Sequence, residues 1–537
     1  MRIKNGLDIW SGGQLLAFSG IDGASDFENG ITARSSFNGI AIDIKLPDEC
    51  RIEFPPPDKV RLAGDFFELS LPDGRIVKGA FSDAHHILIQ GPCLIEAVPA
   101  RLESAKDGNK TLIGVKSHFK PDLLATDIDK LIGLRSKWLE SIKIPGRFSE
   151  KRNKALLKAL SQLKTQVYSP EGIFKGHWTT PDRWPHRRLW LWDSVFHAIG
   201  LRHLDINLAR EAINSVFDAQ GADGLIPLMA DPFEKLEITQ PPLLALGVSL
   251  LNETEHSKTW LESLYPKLKA YLKWDMLNRD KDGAGLLEWL IGKDPKCRSG
   301  ESGADNSPRF DSAHNLDAID FNAFLSHECE LMAAFANTLG LADEEEEWLA
   351  HHRRLNSLMN ERLWSEKNGL YMDYDNDLGI QTEVLSYAGF LPLICGAPSE
   401  AQAEKIVKHL KNPGTFGTPF GIATVARSCA LDYSKDMWRG PVWINVNWLV
   451  ARGLRRYGFE KEAENLTSKT LAVIEEMYSK YGVFFEFYDD RLELDPPKLM
   501  RKGKNAPEIS PFHQPFSDYG WTATLYIDMC LSKEKCR

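Results

Sequence analysis

Three carboxylates and a cation crowd into Glu301-Ser302-Gly303-Ala304-Asp305-Asn306-Ser307-Pro308-Arg309-Phe310-Asp311, and the block before it, Cys297-Arg298-Ser299-Gly300, is also polar and broken by glycine. Such a stretch cannot bury its charges without partners, because an unpaired buried carboxylate costs several kcal/mol or more. One reading is a solvated loop in which Asp305 or Asp311 caps a helix. Other clusters of aromatic and charged residues point further. They are Trp190-Leu191-Trp192-Asp193, Trp438-Arg439-Gly440-Pro441-Val442-Trp443 and Phe485-Glu486-Phe487-Tyr488-Asp489. A sugar needs that mixture: aromatic faces for its C–H surfaces, fixed polar groups for its hydroxyls, and two carboxylates for its glycosidic bond.

Asp305 and Glu486 are the candidate pair. Glycoside hydrolysis takes one carboxylic acid to protonate the leaving oxygen and a second carboxylate to activate water or attack the sugar. Asp305 has small or amide neighbours that leave it accessible. Glu486 lies between Phe485 and Phe487, an apolar setting of the kind that raises a carboxyl's pKa. Strand alternation through Val483–Tyr488 would instead make Glu486 an ordinary exposed acid. Asp193 could cap the helix that follows it, and Trp192 could be core. Gln240, in Thr239-Gln240-Pro241-Pro242, offers the one ligand-facing amide of its block, whose prolines suit a helix's first turn. Trp443, after a glycine-proline turn, reads either as a stacking platform or as a core plug.

Other chemistries lack their motifs. There is no Gly-x-Ser-x-Gly elbow, no His-Glu-x-x-His and no phosphate-binding Gly-x-x-x-x-Gly-Lys-Ser/Thr loop. Asp280-Lys281-Asp282-Gly283 lacks the later ligands of a calcium loop. The adjacent His85-His86 reads as a surface pair, so no metal and no cofactor are expected. The net charge of −10 without a basic run argues against a nucleic-acid or anionic-membrane partner. Eight scattered cysteines without a Cys-x-x-Cys pair read as free thiols of a reducing compartment. No apolar run follows the N-terminal Met1–Asp8, and no stretch reads as membrane-spanning, so the expected location is cytoplasmic.

These side chains need a scaffold of 537 residues, long enough for more than one domain. Residues 7–118 alternate in short runs such as Ile40–Lys45, Phe67–Leu71 and Ile87–Gln90, with a hairpin turn at Pro72-Asp73-Gly74. This predicts a β-rich, sandwich-like domain over 1–120. After a helical linker over 121–150, roughly twelve helical patterns follow, the first carrying Leu156, Leu157, Leu160 and Leu163 on one face. Further patterns fall near 193–203, 207–219, 240–252, 257–278, 315–339, 343–363, 383–394, 400–410, 441–457, 459–480 and 517–532. Paired helical hairpins closing into an (α/α)6 toroid over 151–537 fit that count, with the long acidic and aromatic loops gathered at one end.

In order along the chain, Arg188–His197, Gly224–Pro227, Thr239–Pro242, Glu301–Arg309, Arg439–Trp448, Glu486–Tyr488 and Tyr519–Thr522 resemble the blocks of glycoside hydrolase family 63 and its mannosylglycerate-hydrolase-like relatives. Family 37 trehalases are more distantly similar. The resemblance covers roughly residues 150–530. It implies an (α/α)6 barrel and an inverting mechanism without a cofactor, with Asp305 as general acid and Glu486 as general base. In such a site the two carboxyls stand about 6.5–9.5 Å apart to admit water. Trp190, Trp192, Asp193, Gln240, Trp443 and Trp521 match positions of the sugar-binding wall. The implied substrate is a small carbohydrate: an α-linked glucoside or mannoside, a disaccharide or a glycosyl-glycerate. An anionic aglycone would want a cation, for which Arg298, Arg309 and Arg439 are the candidates. Competing readings are a sugar epimerase using His177, His186 or His197, and a carbohydrate-binding protein without catalysis. Oligomeric state is not legible, nor is any contribution of the N-terminal domain to the site.

Overall fold

In the computed structural model, residues 7–144, 148–506 and 508–535 are described; the N-terminal Met1–Gly6, part of the expected linker, and Cys536 lie outside them. The N-terminal region forms two antiparallel sheets. The first contains β1 (Leu15–Ala17), β2 (Thr32–Ser35), β3 (Ala41–Leu46), β4 (Cys50–Glu53) and β9 (Leu94–Ile95), in the order β1-β2-β3-β4-β9. The second contains β5 (Lys59–Ala63), β6 (Phe66–Ser70), β7 (Ile76–Asp83), β8 (His86–Gln90), β10 (Leu102–Asp107) and β11 (Lys110–Val115), in the order β10-β11-β8-β7-β6-β5. Alternation explains the burial: Ile42 and Ile44 of β3 point inward while Asp43 pairs with Arg51 across the strand. Gly74, with φ of +83°, makes the turn between β6 and β7. The sheets close on one apolar core, where the Phe54 and Phe67 rings stand 5.1 Å apart.

His86 corrects the expectation of a surface pair. It is fully buried, bonded to Asp83 and accepting the Lys120 N–H. His85 bonds Asp26 and stacks on His118 with centroids 4.0 Å apart. Asp26, His85 and His118 do come close enough to surround an ion, but parallel stacked rings direct their in-plane lone pairs along separate planes rather than to one point.

Next come α1 (Ile128–Ser141), packed on β7 and β8, and α2 (Glu150–Thr165), which buries the leucine face read from the sequence. The remaining helices are α3 (Leu191–Leu201), α4 (Ile206–Asp218), α5 (Leu244–Thr254), α6 (Lys258–Asn278), α7 (Ile319–Leu339), α8 (Ala342–Leu358), α9 (Pro392–Cys395), α10 (Glu400–His409), α11 (Ile444–Arg456), α12 (Glu460–Tyr481) and α13 (Gly520–Lys535). Contacts run α3-α5-α7-α9-α11-α13 and back to α3, which closes an inner ring of six. α2, α4, α6, α8 and α12 pack outside on their hairpin partners. The chain is thus a mainly helical (α/α)6 toroid preceded by a β-sheet-rich region. The helix expected over 383–394 is reduced to a 3-10 turn, Tyr387–Phe390, and the single turn α9. Pro392 cannot continue a preceding helix, and Gly396, with φ of +73°, ends the next turn.

The β-region is fastened to the toroid by buried polar contacts. Arg34 of β2 donates to the carbonyls of Gly13, Ser517, Asp182 and Trp184. Asp518 accepts the Leu15 N–H at 2.8 Å and pairs with Lys158 at 2.6 Å.

Candidate active site

Loops at one end of the inner ring enclose a cavity of about 370 Å3, lined by His186, Trp190, Trp192, Asp193, Gln240, Gly303, Asp305, Met437, Trp443, Glu486, Arg501, Tyr519 and Trp521. It therefore gathers Asp305, Glu486 and all six residues expected in the sugar-binding wall, drawn from segments up to 331 positions apart, but none of the three candidate arginines.

Each of the three loop carboxylates has a different partner. Glu301 is buried in a two-point contact with Arg279 and also accepts the Thr239 and Leu290 N–H groups. Asp311 is held by Arg439 at 2.6 Å. Asp305 alone lines the cavity, with 20% of its side chain exposed and Lys502 at 2.8 Å. The loop is rigid because it bonds to itself: Arg298 N–H to the Asp305 carbonyl, Ser302 hydroxyl to the Ser299 carbonyl, and Ala304 N–H to the Ser302 hydroxyl. Gly303 is required. Its φ is +69°, and a Cβ there would stand 2.3 Å from the Trp192 ring.

Glu486 is 1% exposed, not the outward acid that strand alternation would make it. Its segment pairs on both edges, through Phe485 with Ser517 and through Tyr488 with Val442, so it runs inside the protein rather than along its surface. Its apolar neighbours are not its main environment. Arg501 grips the carboxylate at two points, 2.9 and 3.1 Å, and the Phe516 N–H adds a third contact at 3.3 Å. Burial lowers the affinity of Arg501 for its proton, but Glu486, with Asp305 beyond, outweighs burial and holds it above its ordinary value. Such a charge-assisted fork orients the carboxylate as well as compensating its burial.

Asp193 lies in the first turn of α3, fully buried. Burial, reinforced by the charges of Asp182 and Glu486, pushes its carboxyl well above the usual range and favours its protonated form. The Tyr519 hydroxyl, itself raised by burial and by Asp193, donates to it at 3.5 Å. The floor is aromatic. Trp438 stacks on Trp443 at 4.0 Å, Trp521 meets Trp192 edge-on at 5.1 Å, and Trp443 lies 5.5 Å from Trp521. Trp443 is thus both platform and plug, with its indole N–H given to the Met437 carbonyl. The Trp190 and Trp521 indole N–H groups are buried with no protein acceptor, donors that a sugar hydroxyl can satisfy.

Arg309 is a correction. Its fully buried guanidinium forks Asp320 at 2.6 Å and Asp373 at 2.7 Å, tying α7 to the loop before it, and it does not reach the cavity. Arg439 is likewise committed to Asp311, and Arg298 bonds the Gly292 carbonyl. The cations at the site are Arg501 and Lys502, which sequence reasoning missed; they sit in a polar run with several other basic residues and no distinguishing motif. Of the three histidines, His186 alone lines the cavity. His177 pairs with Glu211, and His197 is sealed beneath Gly520. Cys297, near Asp305, is no nucleophile, because burial and Asp305 push its thiol up to about 12.

A cavity with two differently held carboxylates, the buried Asp193 carboxyl and an indole floor can bind a hexose and hydrolyse its glycosidic bond. The comparisons agree. The model of the mannosylglycerate hydrolase MGH1-like glycoside hydrolase domain matches residues 186–492. Mannosylglycerate hydrolase of Thermus thermophilus is 28% identical over 397 residues, 59% of this chain and 92% of the relative. The crystal structure of a GH63 mannosylglycerate hydrolase from Thermus thermophilus in complex with glucose superposes with a TM-score of 0.57 at 25% identity, covering 69% of this chain and 98% of that one. A bacterial glucoamylase complexed with acarbose, 11% identical, shares the fold over 99% of this chain and 95% of its own, with a TM-score of 0.60. With more than half its length matched by that family model, this chain is a glycoside hydrolase of the mannosylglycerate hydrolase MGH1-like family.

Proposed function

We propose that the protein is an inverting α-glycosidase that hydrolyses an α-linked glucoside or mannoside, with Asp305 as general acid and Glu486 as general base. The observation that carries this reading is the lodging of the two carboxylates in one enclosed cavity with unequal surroundings. Asp305 is partly exposed at the rim, and Glu486 is sealed and forked by Arg501. Trp190, Trp192, Asp193, Gln240, Trp443 and Trp521 bind the sugar. Asp305 gives its proton to the glycosidic oxygen as the bond to the anomeric carbon breaks. Water adds to that carbon from the opposite side, and its proton goes to Glu486. Lys502 is the group that must release Asp305 when the acid takes its proton, and an anionic aglycone would draw it away. No helix among the described residues is long and apolar enough to cross a membrane. Cys50, Cys93, Cys297, Cys329, Cys395 and Cys429 are free thiols, which supports a reducing setting such as the cytoplasm.

The test is hydrolysis of α-glucosides, α-mannosides and glycosyl-glycerates, with NMR of the newly formed anomer. Inverted product is expected, and Asp305→Asn and Glu486→Gln each lower kcat about 10³-fold. Activity on a substrate with an activated leaving group returns in Asp305→Asn alone. Cleavage that survives both changes would remove the assignment.

A further inference from the structure

The sugar cavity opens into a second, wider cleft of about 1250 Å3 counted to its mouth, lined mainly by apolar groups. Phe27, Pro185, Leu228, Met229, Ile238 and Phe512 form its apolar walls, and Arg187, Arg188, Asp231 and Lys502 add charged groups to the lining. The two spaces share His186, Trp190, Asp305 and Arg501, whereas Glu486 belongs to the inner one alone. That division locates the bond to be cut. If Asp305 protonates the leaving oxygen, the group leaving with that oxygen lies on the side of Asp305 away from Glu486, inside this cleft.

We infer that the cleft is the aglycone site and that the aglycone is a ring-sized group with an apolar face, larger than glycerate. The inference rests on the hydrolase reading above. Counted alike to the mouth, its volume is more than three times that of the inner cavity, and the room it offers a ligand, about 580 Å3, lies within the ~300–1,000 Å3 usual for small-molecule pockets. A three-carbon acid would leave most of its apolar wall in contact with water, whereas a ring would cover it.

One wall comes from the N-terminal β-region, outside the residues that the family model matches. Phe27, in the loop before β2, is built in from three directions. Its N–H donates to the Glu171 carboxylate at 3.0 Å, its ring packs on Tyr168 and Trp178, and the Arg187 guanidinium lies 4.5 Å over that ring. Arg187 also donates to the Phe27 carbonyl, which ties the β-region to the segment leading into Trp190. On the opposite approach Phe512, 41% exposed, meets His186 edge-on at 5.8 Å. The N-terminal region therefore acts here as a specificity element, which the sequence left open.

The experiment compares benzyl and glyceryl α-glycosides, whose alcohols are both alkyl leaving groups, for kcat/KM with the intact protein, and measures Kd of the benzyl glycoside for Glu486→Gln by calorimetry. The expected result is a benzyl preference of at least about tenfold, expressed mainly in KM. Phe27→Ala and Phe512→Ala each cut that preference about tenfold and weaken Kd in the Glu486→Gln background by a similar factor. Phe512, being exposed, supplies the answer if Phe27→Ala does not fold. Equal or better turnover of the glyceryl compound, with the preference unmoved in Phe512→Ala, overturns the inference and leaves the hydrolase standing. No turnover of either compound, with benzyl binding still lost in Phe512→Ala, overturns the hydrolase assignment and keeps the cleft as a ring-binding site. Absence of both turnover and binding overturns both.

Discussion

The inner cavity and the outer cleft are separated only by Asp305, Trp190, His186 and Arg501, yet they follow opposite rules. Inside, several polar groups are committed to particular partners, Arg501 to Glu486, Tyr519 to Asp193 and the Trp192 backbone N–H to Gln240, while the Trp190 and Trp521 indole N–H groups have no protein acceptor. Outside, the lining is mainly apolar, although Arg187, Arg188, Asp231 and Lys502 share it, and Phe27 is lent by a loop of the β-region. Directional bonds in a dry space discriminate sharply, because a misplaced hydroxyl leaves a buried group unpaired. Apolar area discriminates softly, in proportion to what it covers. The sugar ring is thus selected strictly and the aglycone by graded preference.

The contrast can be broken in order of severity. Arg501→Met should have the largest effect, because it leaves Glu486 buried without a counter-charge and disfavours its ionised form. The expected loss is about 10²–10³-fold in kcat at neutral pH, partly restored by Arg501→Lys, in steady-state assays. A rise in KM alone, with kcat unchanged, would show that Arg501 serves the outer cleft instead. Gly303→Ala comes next. The added Cβ meets Trp192, and the loop must shift, carrying Asp305 with it. About 10²-fold should be lost from kcat, with circular dichroism and Tm close to wild type.

The smallest effect belongs to Asp193→Asn and is read as stability against pH. Burial raises this carboxyl in the folded protein above its unfolded value of 3.8, so the folded state holds the proton more tightly. Its stabilisation is complete below that value and is lost as pH rises through the folded one. Asparagine carries no such proton. The Tm of Asp193→Asn should therefore gain on wild type between pH 5 and pH 9 by about 1–2 °C; a difference independent of pH would mean that Asp193 is ionised in the fold.

Much of this architecture is written in local patterns. The leucine face of α2 and the alternation of β3 are periodicities of 3.6 and 2, set by short-range geometry, and they survive any tertiary context that buries one face. The single turn α9 was illegible because an apolar run interrupted by glycine and proline reads as a helix until the neighbouring turns are seen to end it. At the site, Trp192, Asp193, Asp305 and Glu486 stood out as acid and aromatic groups packed densely in loops. Arg309 stood out equally and belongs elsewhere, because Asp320 and Asp373 capture it. Arg501 did not stand out at all.

The sequence by itself determined which residues could perform acid/base chemistry on a sugar and which periodic segments would carry them, since both follow from side-chain type and local spacing. Partnership was decided only by the tertiary structure. Closing six hairpins into a ring brings residues hundreds of positions apart within hydrogen-bond reach. At that range the nearest opposite charge, rather than the sequence neighbour, sets what an ionisable group does. Glu486 thereby gains Arg501, the Asp193 carboxyl is held above its ordinary value, and Phe27 of the β-region becomes a wall of the cleft.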